Sequence, residues 1–198
     1  MQLNNKLGIN EMNDIKSLLD QINLQYRYLL NTRSVFPYLD DSAVGRNIFR
    51  TAAFYRIEGF DVHFSFNRPL TETDVDRIRS VGHWINENYL IRLCALLEYY
   101  DIIPKSENEK IDKDLNGSDE LDILRRLRNK FVHKSGKYNS NNPKERKLYE
   151  RIVKHFGVVL AKDPSTAKQY PISIDLVIKP ITEKCKEYII ELKNKKDT

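Results

Sequence analysis

The sequence predicts a mainly α-helical protein that carries at most a small β ribbon. Apolar residues recur at intervals of three and four over several long stretches, whereas only two short stretches alternate polar and apolar residues. The chain of 198 residues is long enough to enclose a hydrophobic core and too short for a second catalytic domain. We therefore expect residues 1–198 to form one helical domain.

The first helix is predicted from about Asn10 to Thr32, where apolar residues follow helical spacing, and Pro37 ends the pattern. The segment 42–57 fits either a helix or a strand, and we favour a helix. Two segments then show the alternation of a strand, residues 61–66 and residues 172–178. They either pair as a small ribbon at the edge of the helical body or serve as extended connections.

The longest helix is expected to begin after Thr71, because Thr71 and Asp74 have the spacing of a capping box, and to continue to about Ile103. A helix over about 118–135 follows, with Ser118 as its cap. Asn142-Pro143 is expected to start another helix and Lys179-Pro180 the last one.

The composition is that of a soluble globular protein, with 31% charged and 40% hydrophobic residues. A formal net charge of +5 favours an acidic partner. Positive charge is concentrated in residues 125–151, where ten Lys or Arg stand against Glu145 and Glu150. Basic runs of this kind are typical of surfaces that contact nucleic acid.

Several classes of function find no support in the sequence. Cys94 and Cys185 each lie in an apolar helical pattern, so we expect two buried thiols and no disulfide. The four His and two Cys lack the spacing of metal ligands, and we predict neither a metal nor a cofactor. No apolar signal core or membrane-length apolar run is present, which leads us to expect a cytoplasmic protein without membrane contact.

One short motif combines residue types suited to RNA cleavage, namely Arg128-Asn129-x-x-x-His133. The guanidinium of Arg128 can donate two hydrogen bonds to phosphate oxygens, and the imidazole of His133 can accept and return a proton near pH 7. Chance would place this tighter pattern in a chain of such composition only about 0.02 times.

The motif resembles that of the HEPN superfamily, in which an arginine, usually followed by a polar residue and often by Asn, is separated from a histidine by four to six residues near the end of a helix. The resemblance covers about residues 118–138. It implies an antiparallel helical bundle that acts as a homodimer, and a metal-independent endoribonuclease that serves as a toxin or defence effector restrained by a neutralising protein partner. The catalytic residues would then be Arg128, Asn129 and His133.

In the expected reaction, the ribose 2′-hydroxyl attacks the adjacent phosphorus and leaves a 2′,3′-cyclic phosphate. His133 would move the proton, and Arg128 would stabilise charge on the phosphate oxygens. Because the reaction needs a 2′-hydroxyl, the substrate is RNA. The expected contacts to its backbone are Arg125, Arg126, Lys130, Lys134 and Lys137.

Two alternatives remain open at the level of sequence. His133 could be a helix C-terminal cation and Arg128 an ion-pair partner of Asp122 or Glu120, with no catalytic role. The domain could also be a non-catalytic HEPN-like module that binds RNA, a nucleotide or a protein. On an ideal helix the side chains of Arg128 and His133 diverge by about 140°, so the catalytic hypothesis favours a symmetric dimer that supplies groups from both chains.

Overall fold

The computed structural model of the protein describes residues 11–104, 111–134, 139, 141–159 and 172–196. Five α-helices form the body of this described part, and they are α1 (Glu11–Ser34), α2 (Glu72–Tyr99), α3 (Ser118–Lys134), α4 (Pro143–Phe156) and α5 (Asp175–Lys196). Two short strands, β1 (Ile48–Arg50) and β2 (His63–Ser65), pair antiparallel between α1 and α2 in sequence. The predicted mainly helical class with a small ribbon is confirmed.

Contacts between side chains fix the directions of α1, α2 and α5. Gln21 of α1 donates a hydrogen bond to the hydroxyl of Tyr100 at the end of α2, 2.7 Å away, whereas Arg33 at the other end of α1 lies against Gly82 early in α2. These two helices are therefore antiparallel. Asp175 and Thr182 of α5 contact Asn86 and Tyr89 of α2 in the same order, so α5 runs parallel to α2.

Helices α3 and α4 form an antiparallel pair. The ammonium of Lys130, late in α3, lies 2.7 Å from a carboxylate oxygen of Glu145, early in α4. Arg151, late in α4, reaches back to Asp122, early in α3. Leu121, Leu124 and Leu127 of α3 are fully buried, and they belong to the hydrophobic core that the five helices share.

The start of α3 depends on a glycine. Gly117 has φ +90°, and a Cβ built on it would lie 2.3 Å from the backbone carbonyl oxygen of Lys184 in α5. The carbonyl of Gly117 accepts the first helical hydrogen bond, from the amide of Leu121 at 3.0 Å. Gly117 is therefore the cap, and the prediction that Ser118 caps this helix is wrong by one position.

The predicted helix over 42–57 is also wrong. The segment contains two short 3-10 turns, Asp41–Ala43 and Ala53–Tyr55, with β1 between them. Gly45 has φ +80°, which interrupts a helix at that point. Phe49 on β1 packs with Leu70 and Val75 in a second, smaller core, and the gain from this burial outweighs a weak local helical preference.

The other prediction about strands is half right. A strand forms at residues 63–65, within the predicted segment 61–66, but its partner is β1. Residues 172–178 form no strand, because α5 already begins at Asp175 and Pro180 lies inside it instead of starting it. Ile174, Val177, Ile178 and Ile181 are all at most 1% exposed, and their spacing of three, one and three residues is that of a buried helical face.

Candidate functional site

Arg128 is held on α3 by two contacts. Its Nη1 donates a hydrogen bond to the side-chain oxygen of Asn129 at 2.9 Å, and its Nη2 lies 3.6 Å from Oε2 of Glu98, near the end of α2. The side chain remains 31% exposed. Arg128 therefore pairs with Glu98, and neither Asp122 nor Glu120 is its partner. The carboxylate of Glu120 instead lies 2.8 Å from Nε2 of His155.

His133 is exposed and lies on the same helix, one residue before its end. Because α3 stays helical to Lys134, Arg128 and His133 diverge by about 140° around its axis. Of the residues between them in the chain, Asn129 and Val132 lie on the same solvent-facing side of α3, at about 100° and about 40° from Arg128. One chain thus presents the arginine and the histidine at the two edges of a single face and does not bring them together.

Two of the predicted RNA contacts, Arg125 and Arg126, share a carboxylate. Nη2 of Arg125 lies 3.1 Å from one oxygen of Asp122, and Nε of Arg126 lies 2.9 Å from the other. Arg151 of α4 also binds Asp122. Burial alone would raise the pKa of this carboxyl, but the hydrogen bonds from Arg151 and Arg126 lower it below its usual value. Asp122 is therefore a charged centre that organises three arginines, of which Arg126 is the most exposed at 57%.

Lys130 is not placed to contact RNA. Its residue is only 6% exposed, its ammonium is held by Glu145, and it lies 5.7 Å from the ring centre of Tyr149. The same oxygen of Glu145 accepts a hydrogen bond from the backbone amide of Asn139 at 2.8 Å. Lys130 thus joins α3 to α4 and to the segment after the motif, which is a structural role that the basic run in the sequence did not reveal.

Lys134 and Lys137 are the last two predicted RNA contacts. Lys134 is the final residue of α3, but its side chain is outside the described residues, as is Lys137.

Glu98 is a member of the site that the sequence did not indicate, and the exposed cations of α4 did not stand out from the basic run either. Glu98 stands thirty positions before Arg128, and no local pattern links the two residues. On α4, exposed cations are Lys144, Arg146, Lys147 and Lys154. Lys144, Arg146 and Lys147 lie within the basic run of residues 125–151, and Lys154 follows it closely. Glu145, Leu148 and Tyr149 are buried on the opposite side of α4, which shows that these cations face outwards.

A cavity of about 320 Å³ lies far from the motif, near the start of α2. Arg33, Arg79, His83 and Asp175 are among its lining residues. Gly82, which also lines it, is sixteen residues before Glu98, or about 24 Å along the helix. This cavity is therefore separate from the site around Arg128 and His133.

The two cysteines are buried free thiols, as expected. Burial is the main reason why the pKa of Cys94 rises to about 12, with the neighbouring Glu98 carboxylate contributing. In the described ranges, no three His, Cys, Asp or Glu side chains are grouped closely enough to hold a metal ion. Within the same residues, none of the helices has the length and apolar character needed to cross a membrane.

Comparisons with family models, with curated proteins and with solved structures found no match to this chain.

Proposed function

We propose that this protein is a metal-independent endoribonuclease of the HEPN type. It would cleave RNA by attack of the 2′-hydroxyl on the adjacent phosphorus, which forms a 2′,3′-cyclic phosphate and releases a 5′-hydroxyl. The observation that carries the proposal is the solvent-facing side of α3, on which Arg128 and Asn129 are partly exposed and His133 is exposed. An effector of this activity would be a toxin or defence protein in the cytoplasm, restrained by a neutralising partner.

The two charged groups have distinct roles in this reaction. Arg128 is always cationic, and the phosphate oxygens would replace its weak contact with Glu98, whose oxygen is 3.6 Å away. Asn129 already orients the guanidinium through Nη1. His133 is exposed and free to reach a 2′-hydroxyl or a leaving oxygen, so it would transfer the proton.

The proposal includes a symmetric homodimer. The divergence of about 140° between Arg128 and His133 prevents one regular helix from placing both side chains on one phosphate. A twofold axis near the exposed face of α3 would bring Arg128 of one chain towards His133 of the other. Val132, which is 50% exposed between them, offers an apolar residue for such a contact.

A second candidate function is a non-catalytic HEPN-like module that binds RNA, a nucleotide or another protein. It is favoured by the structural partners of the motif, since Arg128 is engaged by Glu98 and Asn129 while Lys130 is buried against Glu145. Such contacts are sufficient to explain these residues as parts of the helix packing.

Cleavage of total RNA in EDTA, followed by analysis of the product ends, separates the two functions. The nuclease should yield cyclic phosphate ends without added metal. His133→Ala should lower the rate by at least ~10²-fold through loss of proton transfer, and Arg128→Lys should also be strongly impaired because one ammonium cannot replace two aligned donors. His63→Ala, on the exposed strand β2, is the control and should keep full activity. Equal rates for His133→Ala and the parent would reject the nuclease assignment and leave the binding module.

A further inference from the structure

Four cations of α4 lie in one line. Lys144, Lys147, Arg151 and Lys154 follow one another at intervals of three, four and three residues, so they fall within about 80° around the helix axis. The three lysines are exposed, and the side chain of Arg151 is 34% exposed. We call these four residues the α4 stripe. Over ten residues it extends about 15 Å, with Leu148 and Ile152 on the buried side of the helix.

The α4 stripe is unfavourable for the free protein. Like charges three and four positions apart on a helix repel one another. Lys144 also stands in the first turn of α4, directly after Pro143, where the helix dipole disfavours a cation. Within the described residues, only Arg151 of the four has carboxylate partners, Asp119 and Asp122. A bound polyanion would remove this repulsion.

The α4 stripe faces the same side of the protein as His133. On α3, Asp122, Arg126, Asn129 and His133 follow one another at intervals of four, three and four residues and so form one line. Arg151 of the stripe binds Asp122, the first member of that line. The buried pair of Lys130 and Glu145 fixes the beginning of α4 beside the end of α3. The stripe therefore begins beside the motif and leads away from it.

We propose that the α4 stripe binds the phosphate backbone of single-stranded RNA and directs the strand towards His133. That the polyanion is RNA rests on the proposed function. The main RNA-binding helix is then α4 and not α3. The reason is that carboxylates already occupy Arg125, Arg126 and Lys130 on α3, whereas the lysines of the stripe remain available to phosphate oxygens. Contacts of this kind carry no sequence preference and depend strongly on salt.

The test measures binding in the absence of cleavage. The full chain carrying His133→Ala is titrated into a fluorescent uridine dodecamer at 50 to 200 mM salt. Adding Lys144→Gln and Lys147→Gln should weaken binding by about tenfold and reduce the slope of log affinity against log salt by about 1.4, which is 0.7 for each lost phosphate contact. The matched control is Lys179→Gln with Lys186→Gln, which removes the same charge from α5 and should change affinity less than about twofold.

A second measurement excludes a structural origin of the effect. Without RNA, the Lys144→Gln and Lys147→Gln protein should have an equal or higher Tm, because repulsion on α4 is relieved. An unchanged salt slope, an equal loss in the α5 control, a lowered Tm or an absence of any binding to the dodecamer would each overturn the inference. The outcomes also separate it from the proposed function: a protein that binds through the stripe but never cleaves RNA refutes only the nuclease, and a cleaving protein with an unchanged slope refutes only the stripe.

Discussion

Arg33 and Asp175 form a buried ion pair that joins the end of α1 to the beginning of α5. Nη2 of Arg33 donates to Oδ1 of Asp175 at 2.9 Å, and the two side chains are 2% and 3% exposed. The hydroxyl of Tyr55, at 2.6 Å, and the amide of Asn86, at 2.9 Å, donate to the same oxygen. Three donors on one carboxylate oxygen offset much of the cost of burying the charges. This network explains why α5 begins at Asp175, in a segment where alternation suggested a strand.

The approach of Arg33 requires a glycine on α2, which gives the first prediction. A Cβ at position 82 would lie 2.6 Å from Nη1 of Arg33. Gly82→Ala should therefore lower the free energy of unfolding by about 1 kcal/mol, because overpacking by about 2 kcal/mol exceeds the gain of about 1 kcal/mol from alanine in a helix. Urea unfolding measures the change. In an Arg33→Lys background, which lacks Nη1, the same substitution should become neutral or stabilising, and an equal loss in both backgrounds would contradict the clash.

The pair of Lys130 and Glu145 gives the second prediction. Lys130→Met removes the ammonium that lies 2.7 Å from the carboxylate of Glu145, a residue that is only 7% exposed. The free energy of unfolding should fall by about 3–5 kcal/mol, as is typical when one member of a buried pair is removed. Adding Glu145→Gln should restore part of the loss. If Lys130 instead served RNA binding, Lys130→Met would leave the urea midpoint unchanged and lower only the affinity for RNA.

Glu87 on α2 provides a prediction of pH dependence. Partial burial raises the pKa of its carboxyl to about 7. The native state therefore keeps a proton that the unfolded chain, with an ordinary pKa near 4.5, releases, so the free energy of unfolding falls as pH rises from about 4.5 to 7. In Glu87→Gln, this decrease in the free energy of unfolding with rising pH should be absent.

Thermal unfolding at several pH values tests the assignment. The free energy of unfolding of Glu87→Gln should exceed that of the parent only slightly at pH 4.5. Above pH 7 the difference should reach about 1 kcal/mol, once solvent screening of this half-buried group is allowed for. Glu150→Gln, which removes a carboxylate from the exposed side of α4, is the matched control for the loss of one negative charge. An advantage for Glu87→Gln that stays constant from pH 4.5 to 8 would exclude the raised pKa.

Local patterns predicted those parts of the fold that depend on neighbouring residues. The capping box of Thr71 and Asp74 is present, and Asn142 accepts from the amide of Lys144 at the start of α4. The segments 42–57 and 172–178 were assigned wrongly, because Phe49 and Asp175 owe their conformation to partners distant in sequence. The same limit applies to the candidate site.

Residue types and spacing singled out Arg128, Asn129 and His133, but ion pairing depends on which helices meet. The sequence could not show that Glu98 contacts Arg128 or that Glu145 buries Lys130. The role of Arg128, Asn129 and His133 in catalysis remains a prediction that the cleavage assay tests.

The final prediction concerns the dimer. Arg128 and His133 lie at the two edges of the exposed face of α3, so the proposed active site needs two chains whose α3 faces meet near Val132. Positive charge near the axis opposes this association, and an apolar contact must therefore hold it. Val132→Asp should shift the protein to a monomer by light scattering and abolish cleavage while the fold stays intact. Val81→Asp, which alters a valine of similar exposure on α2, is the matched control and should remain dimeric and active.

Mixed dimers give the sharper test of a shared site. Arg128→Ala and His133→Ala chains are each inactive in the proposed mechanism, because each homodimer lacks one of the two groups throughout. In a heterodimer, one of the two composite sites receives Arg128 from one chain and His133 from the other, so mixing the inactive proteins should restore about a quarter of the parental rate when chains exchange at random. Mixing either mutant with Val132→Asp protein should restore nothing. Full activity of a strictly monomeric parent at nanomolar concentration would instead place both groups of the site within one chain.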